Sequence, residues 1–208
     1  MFLITYLIKM KLKINPKSPE KEKIETVIQY LNNGKIVLYP TDTVYGIGAN
    51  IFNYKAVKKV YQIKKRPFNK PLSVCVSKIK DINKIAYLNK DIEKKLENIF
   101  PGPFTVILKK KDIVPSILTS GSEKIGIRIP DNKICMALSS EFPITTTSAN
   151  ISGNPVAESF KGVLGQFEDE IDLILDTGIF MHGVHSTVID MTLSPPKIVR
   201  KGAKKPPF

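Results

Sequence analysis

Cysteine is nearly absent from this chain of 208 residues. Cys75 and Cys135 stand apart with no C-x-x-C pair, so neither a disulfide framework nor a zinc site is indicated. Histidine is equally scarce. His182 and His185 lie close together in a glycine-containing loop, which suits a surface role better than metal ligation. No G-x-S-x-G elbow occurs, and a triad built on His185 and Ser186 would require strand neighbours to face one another, which alternation forbids. Covalent hydrolysis is set aside on these grounds. The chain also lacks a G-x-x-x-x-G-K-[ST] loop, so any bound ATP is not held in a P-loop. Gly46-x-Gly48 lacks the third glycine of a dinucleotide fingerprint. Residues 1–8 are apolar but too short to span a membrane, with no basic segment before them and no small-residue cleavage site after. Met10 is an alternative start. The expected setting is a reducing cytoplasm, with no membrane partner.

Charge of one sign is missing over a long interval. Between Asp42 and Asp81 there is no acid, while nine bases occur there, from Lys55 to Lys80. From Glu141 to Asp190 the balance inverts, with eight acids against Lys161 alone. The net charge of +13 is therefore local, and its positive part favours anionic partners. Arginine is the third scarcity. Against 29 lysines there are three arginines: Arg66 in Lys64-Lys-Arg-Pro67, Arg128 in Gly126-Ile-Arg-Ile-Pro130, and Arg200 in Val199-Arg-Lys-Gly202. A planar guanidinium binds carboxylates and phosphates through two hydrogen bonds at once, which an ammonium cannot copy. Arginines kept against so strong a lysine bias point to oxyanion ligands.

What is present begins at Ile36-Val-Leu-Tyr39, an apolar run read as a buried strand. Pro40 stops it, having no N–H for a sheet ladder. Thr41, Asp42 and Thr43 follow, and Gly46 and Gly48 are read as freeing the backbone to turn or to approach a ligand. Such a strand-to-loop passage is how many α/β proteins form a crevice at a strand's carboxyl end.

Ser18-Pro-Glu20 is expected to open a helix with Ile24, Val27, Ile28 and Leu31 inward and Gly34 at its end. Asn53 is expected to cap a second helix, with Ala56, Val57, Val60, Tyr61 and Ile63 inward. Strands are expected at 72–76, 106–108, 125–129, 144–150, 171–175, 186–190 and 197–200. Helices are expected through 78–99 with a break near Asn89, at 131–141 and at 158–166. The pattern predicts an α/β fold with a twisted mixed β-sheet and flanking helices. Residues 18–203 are taken as one domain, 1–17 as an extension with a first strand, and 204–208 as a short tail.

Hydroxyls and cations gather at the strand ends: Thr41, Thr43, Thr146, Ser148, Asn150, Ser186 and Thr187, with Lys64, Arg66, Lys70, Arg128 and Arg200. Such a set positions a phosphate chain and a small acid together, and phosphoryl or nucleotidyl transfer needs little more. Six motifs then occur in order. They are Tyr39-Pro-Thr-Asp-Thr-Val-Tyr-Gly46, Lys64-x-Arg-Pro67 with Pro71-Leu72, Pro101-Gly-Pro-x-Thr105, and Arg128-x-Pro130. Ser148-Ala-Asn-x-Ser-Gly-x-Pro155 follows, then Ser186-Thr-Val-x-Asp190 with Arg200-x-Gly-Ala203. Together they make the chain resemble the YrdC-type threonylcarbamoyl-AMP synthases in their short, single-domain form.

The resemblance implies a YrdC-like fold with a basic concave groove. The implied reaction joins L-threonine, bicarbonate and ATP into threonylcarbamoyl-AMP and pyrophosphate, and Mg2+ would arrive with ATP. A separate downstream transferase would then modify adenosine 37 of tRNA. It implies that Thr43, Arg128, Thr146 and Ser186 surround threonine. Arg66, Lys70, Ser148, Asn150 and Arg200 would hold ATP, with Lys64 and Arg66 as the catalytic cations; no protein metal site is implied. Three positions depart from the family pattern: Lys65 where glycine is common, Cys75 where many members have histidine, and Val156 where many have serine. The rival reading is a double-stranded-RNA or tRNA-binding module without catalysis, which the lysine field alone would serve.

Overall fold

The structure, a computed structural model, describes residues 10–157, 159–167, 170–179 and 183–208. The apolar leader and His182 lie outside them. The first half of the chain runs β1 (Met10–Lys13), α1 (Lys21–Asn32), β2 (Val37–Tyr39), β3 (Gly46–Gly48), α2 (Tyr54–Ile63), β4 (Val74–Cys75), α3 (Ile79–Ile82) and α4 (Lys90–Glu97). The second half runs β5 (Phe104–Lys109), α5 (Ser116–Thr119), β6 (Lys124–Arg128), α6 (Lys133–Leu138), β7 (Ile144–Thr145), β8 (Thr147–Ser148), α7 (Phe160–Phe167), β9 (Leu173–Asp176), β10 (Thr187–Asp190) and β11 (Lys197–Arg200). No helix among the described residues is long and apolar enough to cross a membrane.

The strands form two mixed sheets, ordered β1-β9-β2-β3-β8 and β11-β10-β5-β6-β4-β7. The division falls inside the segment expected as one strand at 144–150. Ile144 and Thr145 pair with β4, whereas Thr147 and Ser148 pair with β3. Thr145 ties the crossing together: its hydroxyl donates to the Ile47 carbonyl at 2.9 Å and accepts from the Ala49 N–H at 3.0 Å. Thr146, next along, gives its N–H to the Ser73 carbonyl at 2.8 Å and so stands at the junction of the sheets.

β2 is the central strand that its apolar run predicts. Ile36 and Leu38 enter the larger core with α2, while Val37 and Tyr39 enter a second core formed with α1 and α6. Alternate side chains of a strand point to opposite faces, and both faces here are covered. Truncating Leu38 to alanine there should cost about 2–5 kcal/mol. After Pro40 the chain turns back, and Gly46–Gly48 pairs antiparallel with β2. The two glycines thus serve packing rather than a turn. A Cβ on Gly48 would come within 2.9 Å of the Tyr39 ring, and one on Gly46 within 3.1 Å. Tyr39 fills that space and donates its hydroxyl to the Thr145 carbonyl at 3.0 Å.

Helix α2 begins where Asn53 accepts the Ala56 N–H at 3.0 Å, and its five expected apolar residues are all buried. Asn89 likewise caps α4 through the Ile92 N–H at 2.8 Å, which accounts for the break in that region. At α1 the expected cap differs. Glu20, not Ser18, holds the N-cap position, because Asn15 organises the preceding turn by accepting the N–H groups of Lys17 and Ser18.

Candidate active site

The hairpin loop between β2 and β3 meets the ends of β5, β6, β8 and β10 around a cavity of about 130 Å3. Arg66, Arg128 and Arg200 line it, so all three arginines of the chain converge there, and no lysine among the described residues does. The remaining polar lining is mostly hydroxyl: Thr41, Thr43, Ser73, Thr105, Thr146, Thr147, Ser148 and Ser186.

Each arginine is held differently. Arg128 stands at the end of β6, where Pro130 soon stops the chain. It is 7% exposed, and its Nη2 donates to a carboxylate oxygen of Asp42 and to Thr43 Oγ1, the latter at 2.8 Å. The other Asp42 oxygen accepts the Asp131 N–H at 3.1 Å. Arg128 Nε is buried without any hydrogen-bond partner. A buried donor left unpaired is costly, so this guanidinium retains capacity for an acceptor.

Arg66 follows α2 in the loop that leaves the helix. That helix ends with the Arg66 N–H on the Tyr61 carbonyl and the Lys65 N–H on the Gln62 carbonyl, both at 2.9 Å. Lys65 takes the left-handed conformation there, with φ 47°. This is the Schellman pattern, in which the left-handed position is usually glycine. Arg66 Nε and Nη2 then donate to the Lys70 and Pro71 carbonyls at 3.0 and 2.8 Å, which braces the guanidinium at the cavity wall.

Arg200, at the end of β11, donates through Nη2 to the Ser186 carbonyl at 2.8 Å and to Ser186 Oγ at 3.2 Å. Ser186 Oγ in turn lies 2.8 Å from Thr105 Oγ1. Gly202 makes this corner possible. A Cβ there would fall 2.3 Å from the His185 carbonyl oxygen and 2.4 Å from the Thr187 nitrogen.

Electrostatics favour an anion. Desolvation by burial, then the proximity of Arg128, lowers the Arg200 pKa, and desolvation lowers that of Arg66. His185 lines the cavity, and its pKa is lowered first by burial, then by Arg200, Lys64 and Arg128. The shift favours the neutral imidazole, in which one ring nitrogen donates and the other accepts. Hydroxyls beside three guanidiniums, of which only Arg128 has a carboxylate partner among the described residues, suit phosphate and carboxylate oxygens.

Of the residues singled out from sequence, Thr43, Arg66, Arg128, Thr146, Ser148, Ser186 and Arg200 come together on the cavity wall. Lys64, Lys70 and Asn150 are not part of the lining. Lys64 is 1% exposed, and its ammonium donates to the Ser148 carbonyl at 2.5 Å and the Asn150 carbonyl at 2.7 Å. Its own carbonyl accepts the Ser152 N–H at 2.8 Å. Asn150 accepts from Ser148 Oγ at 2.6 Å and donates to the Asn154 carbonyl at 2.6 Å. Lys64 and Asn150 thus pin the 148–154 turn from behind. Lys70 is exposed and contributes its carbonyl to Arg66.

Thr105 and His185 were not nominated from sequence. Thr105 ends the Pro101-Gly-Pro-x-Thr105 motif, which carries its hydroxyl to the start of β5 at the cavity. His185, expected on the surface, is half-buried on the cavity wall instead, where Gly202 packs against its backbone. Asp42 likewise gains its role only when β6 brings Arg128 alongside.

Comparison with known proteins places these features in a family. A family model described as Sua5/YciO/YrdC, telomere recombination, matches residues 29–202. A relative from Methanocaldococcus jannaschii is 45% identical over 169 residues, covering 81% of this chain and 80% of that protein. The threonylcarbamoyl-AMP synthase of Pyrococcus abyssi is 37% identical over 186 residues, covering 88% of this chain and 55% of that protein. The crystal structure of P. abyssi Sua5 complexed with L-threonine superposes with a TM-score of 0.86 at 35% identity, over 93% of this chain and 57% of that one. The chain therefore spans little more than half the length of the P. abyssi protein. It belongs to the Sua5/YciO/YrdC family.

Proposed function

We propose that this chain is a threonylcarbamoyl-AMP synthase, a nucleotidyl-transferring enzyme that converts L-threonine, bicarbonate and ATP into threonylcarbamoyl-AMP, pyrophosphate and water. The observation that carries the reading is the convergence of all three arginines on one hydroxyl-lined cavity. The threonine found in the P. abyssi structure, which shares the fold, supports the amino acid.

Arg128 is suited to the threonine carboxylate, since only its Nη2 is engaged by Asp42 and Thr43. Thr43, Thr146 and Ser186 would surround the rest of the amino acid. Its amine and bicarbonate yield an N-carboxy group, whose oxygen attacks the α-phosphorus as pyrophosphate departs. Arg66, Arg200 and Ser148 would hold the phosphates and offset charge as it shifts to the leaving group, which is positioning and electrostatic work rather than covalent catalysis. Lys70 would meet phosphate at the rim. Lys64 and Asn150 would act by fixing the turn that carries Ser148.

Among the described residues no group of three or more His, Cys, Asp or Glu is placed to hold a metal ion, and the cavity lining contains no carboxylate. That donor set fits phosphate better than a resident cation. Mg2+ would enter on the ATP phosphates, where it supplies charge neutralisation. The product would pass to a separate transferase acting on tRNA adenosine 37.

Pyrophosphate release from ATP by purified protein with Mg2+ and bicarbonate tests the reading. Release that requires L-threonine and collapses in Arg66→Ala is expected. Release indifferent to threonine would refute it.

A further inference from the structure

The acid-free interval between Asp42 and Asp81 is barely used by the cavity: of its nine bases only Arg66 lines the wall. Lys55, Lys58, Lys65 and Lys70 are exposed, and among the described residues no carboxylate lies within ion-pair distance of them. Among the described residues Lys59 alone in the interval has such a partner, Asp172 at 3.0 Å. Three large aromatic side chains also stand in solvent here: Phe52 at 44%, Tyr54 at 59% and Phe68 at 50% exposure.

These groups are ordered along α2. Tyr54, Lys58 and Tyr61 succeed one another at spacings that share a helix face. Tyr61 is buried in the core, and Phe68 stacks against it, with ring centroids 4.8 Å apart and planes at 32°. The Tyr61 hydroxyl donates to the Lys70 and Ile117 carbonyls at 3.1 and 3.0 Å, which braces the loop beneath Phe68. One stripe therefore runs from Tyr54 through Lys58 to Phe68, with Lys55 beside it and Lys65 near its end. It spans about 14 Å of helix plus the loop.

Solvated lysines alone would be an ordinary surface. Exposed rings beside unpaired ammonium groups, with Phe68 stacked on Tyr61, are the combination that binds unpaired nucleotides, with phosphates on the cations and bases on the π-faces. A duplex hides its base faces, and an acidic protein segment has no use for paired stacking platforms. We propose that the Tyr54–Lys58–Phe68 stripe is a docking surface for a single-stranded RNA segment, lying outside the catalytic cavity and reaching its rim where Arg66 joins the same loop.

The test is fluorescence anisotropy of a labelled oligoadenylate, and of an RNA duplex of equal length, against the full chain over a range of salt. Tyr54→Ala with Phe68→Ala should weaken oligoadenylate binding at least tenfold and leave duplex binding within about twofold. Lys55→Gln with Lys58→Gln should reduce the salt slope by about 1.4, the value for two lost single-strand phosphate contacts. Lys94→Gln with Lys109→Gln, elsewhere on the surface, should change neither. Tyr54→Leu with Phe68→Leu keeps apolar cover over Tyr61 and serves if the alanine pair fails to fold. Unchanged oligoadenylate binding in the aromatic variants overturns the proposal, as does equal weakening in the Lys94/Lys109 pair or an absence of binding at low salt. All these variants should keep threonine-dependent pyrophosphate release. Loss of that release from the wild type would refute the synthase reading and leave the binding result standing.

Discussion

Burial of Lys64 makes a quantitative claim on pH. Its pKa is lowered from the ordinary lysine value of 10.5 to about 7, chiefly by desolvation and then by the charge of Arg66. A shift of that size corresponds to roughly 3–5 kcal/mol. The carbonyls of Ser148 and Asn150 favour the ammonium, which moves the figure toward the lower end. The sign follows from proton counts. Above pH 10.5 Lys64 is neutral whether the chain is folded or unfolded, and no penalty applies. As pH falls from 10.5 to 7, the unfolded chain takes up the proton before the folded one does, so stability is lost across that window; below pH 7 the penalty is constant. Lys64→Met, similar in length and uncharged, removes this dependence. Chemical denaturation of both proteins between pH 7 and 10 should show the wild type gaining roughly 3 kcal/mol or more on the variant as pH rises. Other titrating groups cancel in the difference. Two parallel stability profiles would refute the reasoning, because they would mean that Lys64 holds its proton in the fold as easily as in water.

Lys65→Gly should stabilise the protein by about 1 kcal/mol, since glycine accepts the left-handed position at no steric cost; an increase of about 2–4 °C in Tm checks it. Gly202→Ala should cost at least 1–3 kcal/mol, because the added methyl meets backbone that cannot swing aside. The same variant should raise the KM for ATP by displacing Arg200. Asp42→Asn leaves Arg128 without its buried counter-charge; threonine KM should rise more than ATP KM, and stability should fall by about 1–3 kcal/mol.

Much of the helical framework was legible because its signals are local. Asn53 caps α2 and Asn89 caps α4 through their own side chains, and the spacing of Val57, Val60 and Tyr61 suffices to name a buried face. β3 was not legible. Gly-Ile-Gly has no strand propensity, and its identity comes from pairing with β2 and from the Tyr39 ring that fills the space over both glycines. The passage of 144–148 from one sheet to the other depends on partners far away in sequence, β4 on one side and β3 on the other. The four-residue helix α5 carries too few residues for any period to show. At the site, the arginines stood out against the lysine background, and all three line the cavity. Sequence could not show that Lys64, two residues from Arg66, turns behind the wall while Arg66 lines it. That separation is made by the left-handed turn at Lys65 and the carbonyls that receive the Lys64 ammonium.

The central claim is that guanidinium geometry, not positive charge, makes this cavity an adenylate-forming site. Threonine-dependent pyrophosphate release should be measured for Arg66→Lys, Arg128→Lys and Arg200→Lys beside the wild type, with far-UV circular dichroism confirming that each is folded. The account predicts a fall of at least tenfold in every variant, since lysine keeps the charge and loses the fork. Folded lysine variants that release pyrophosphate at the wild-type rate would contradict it.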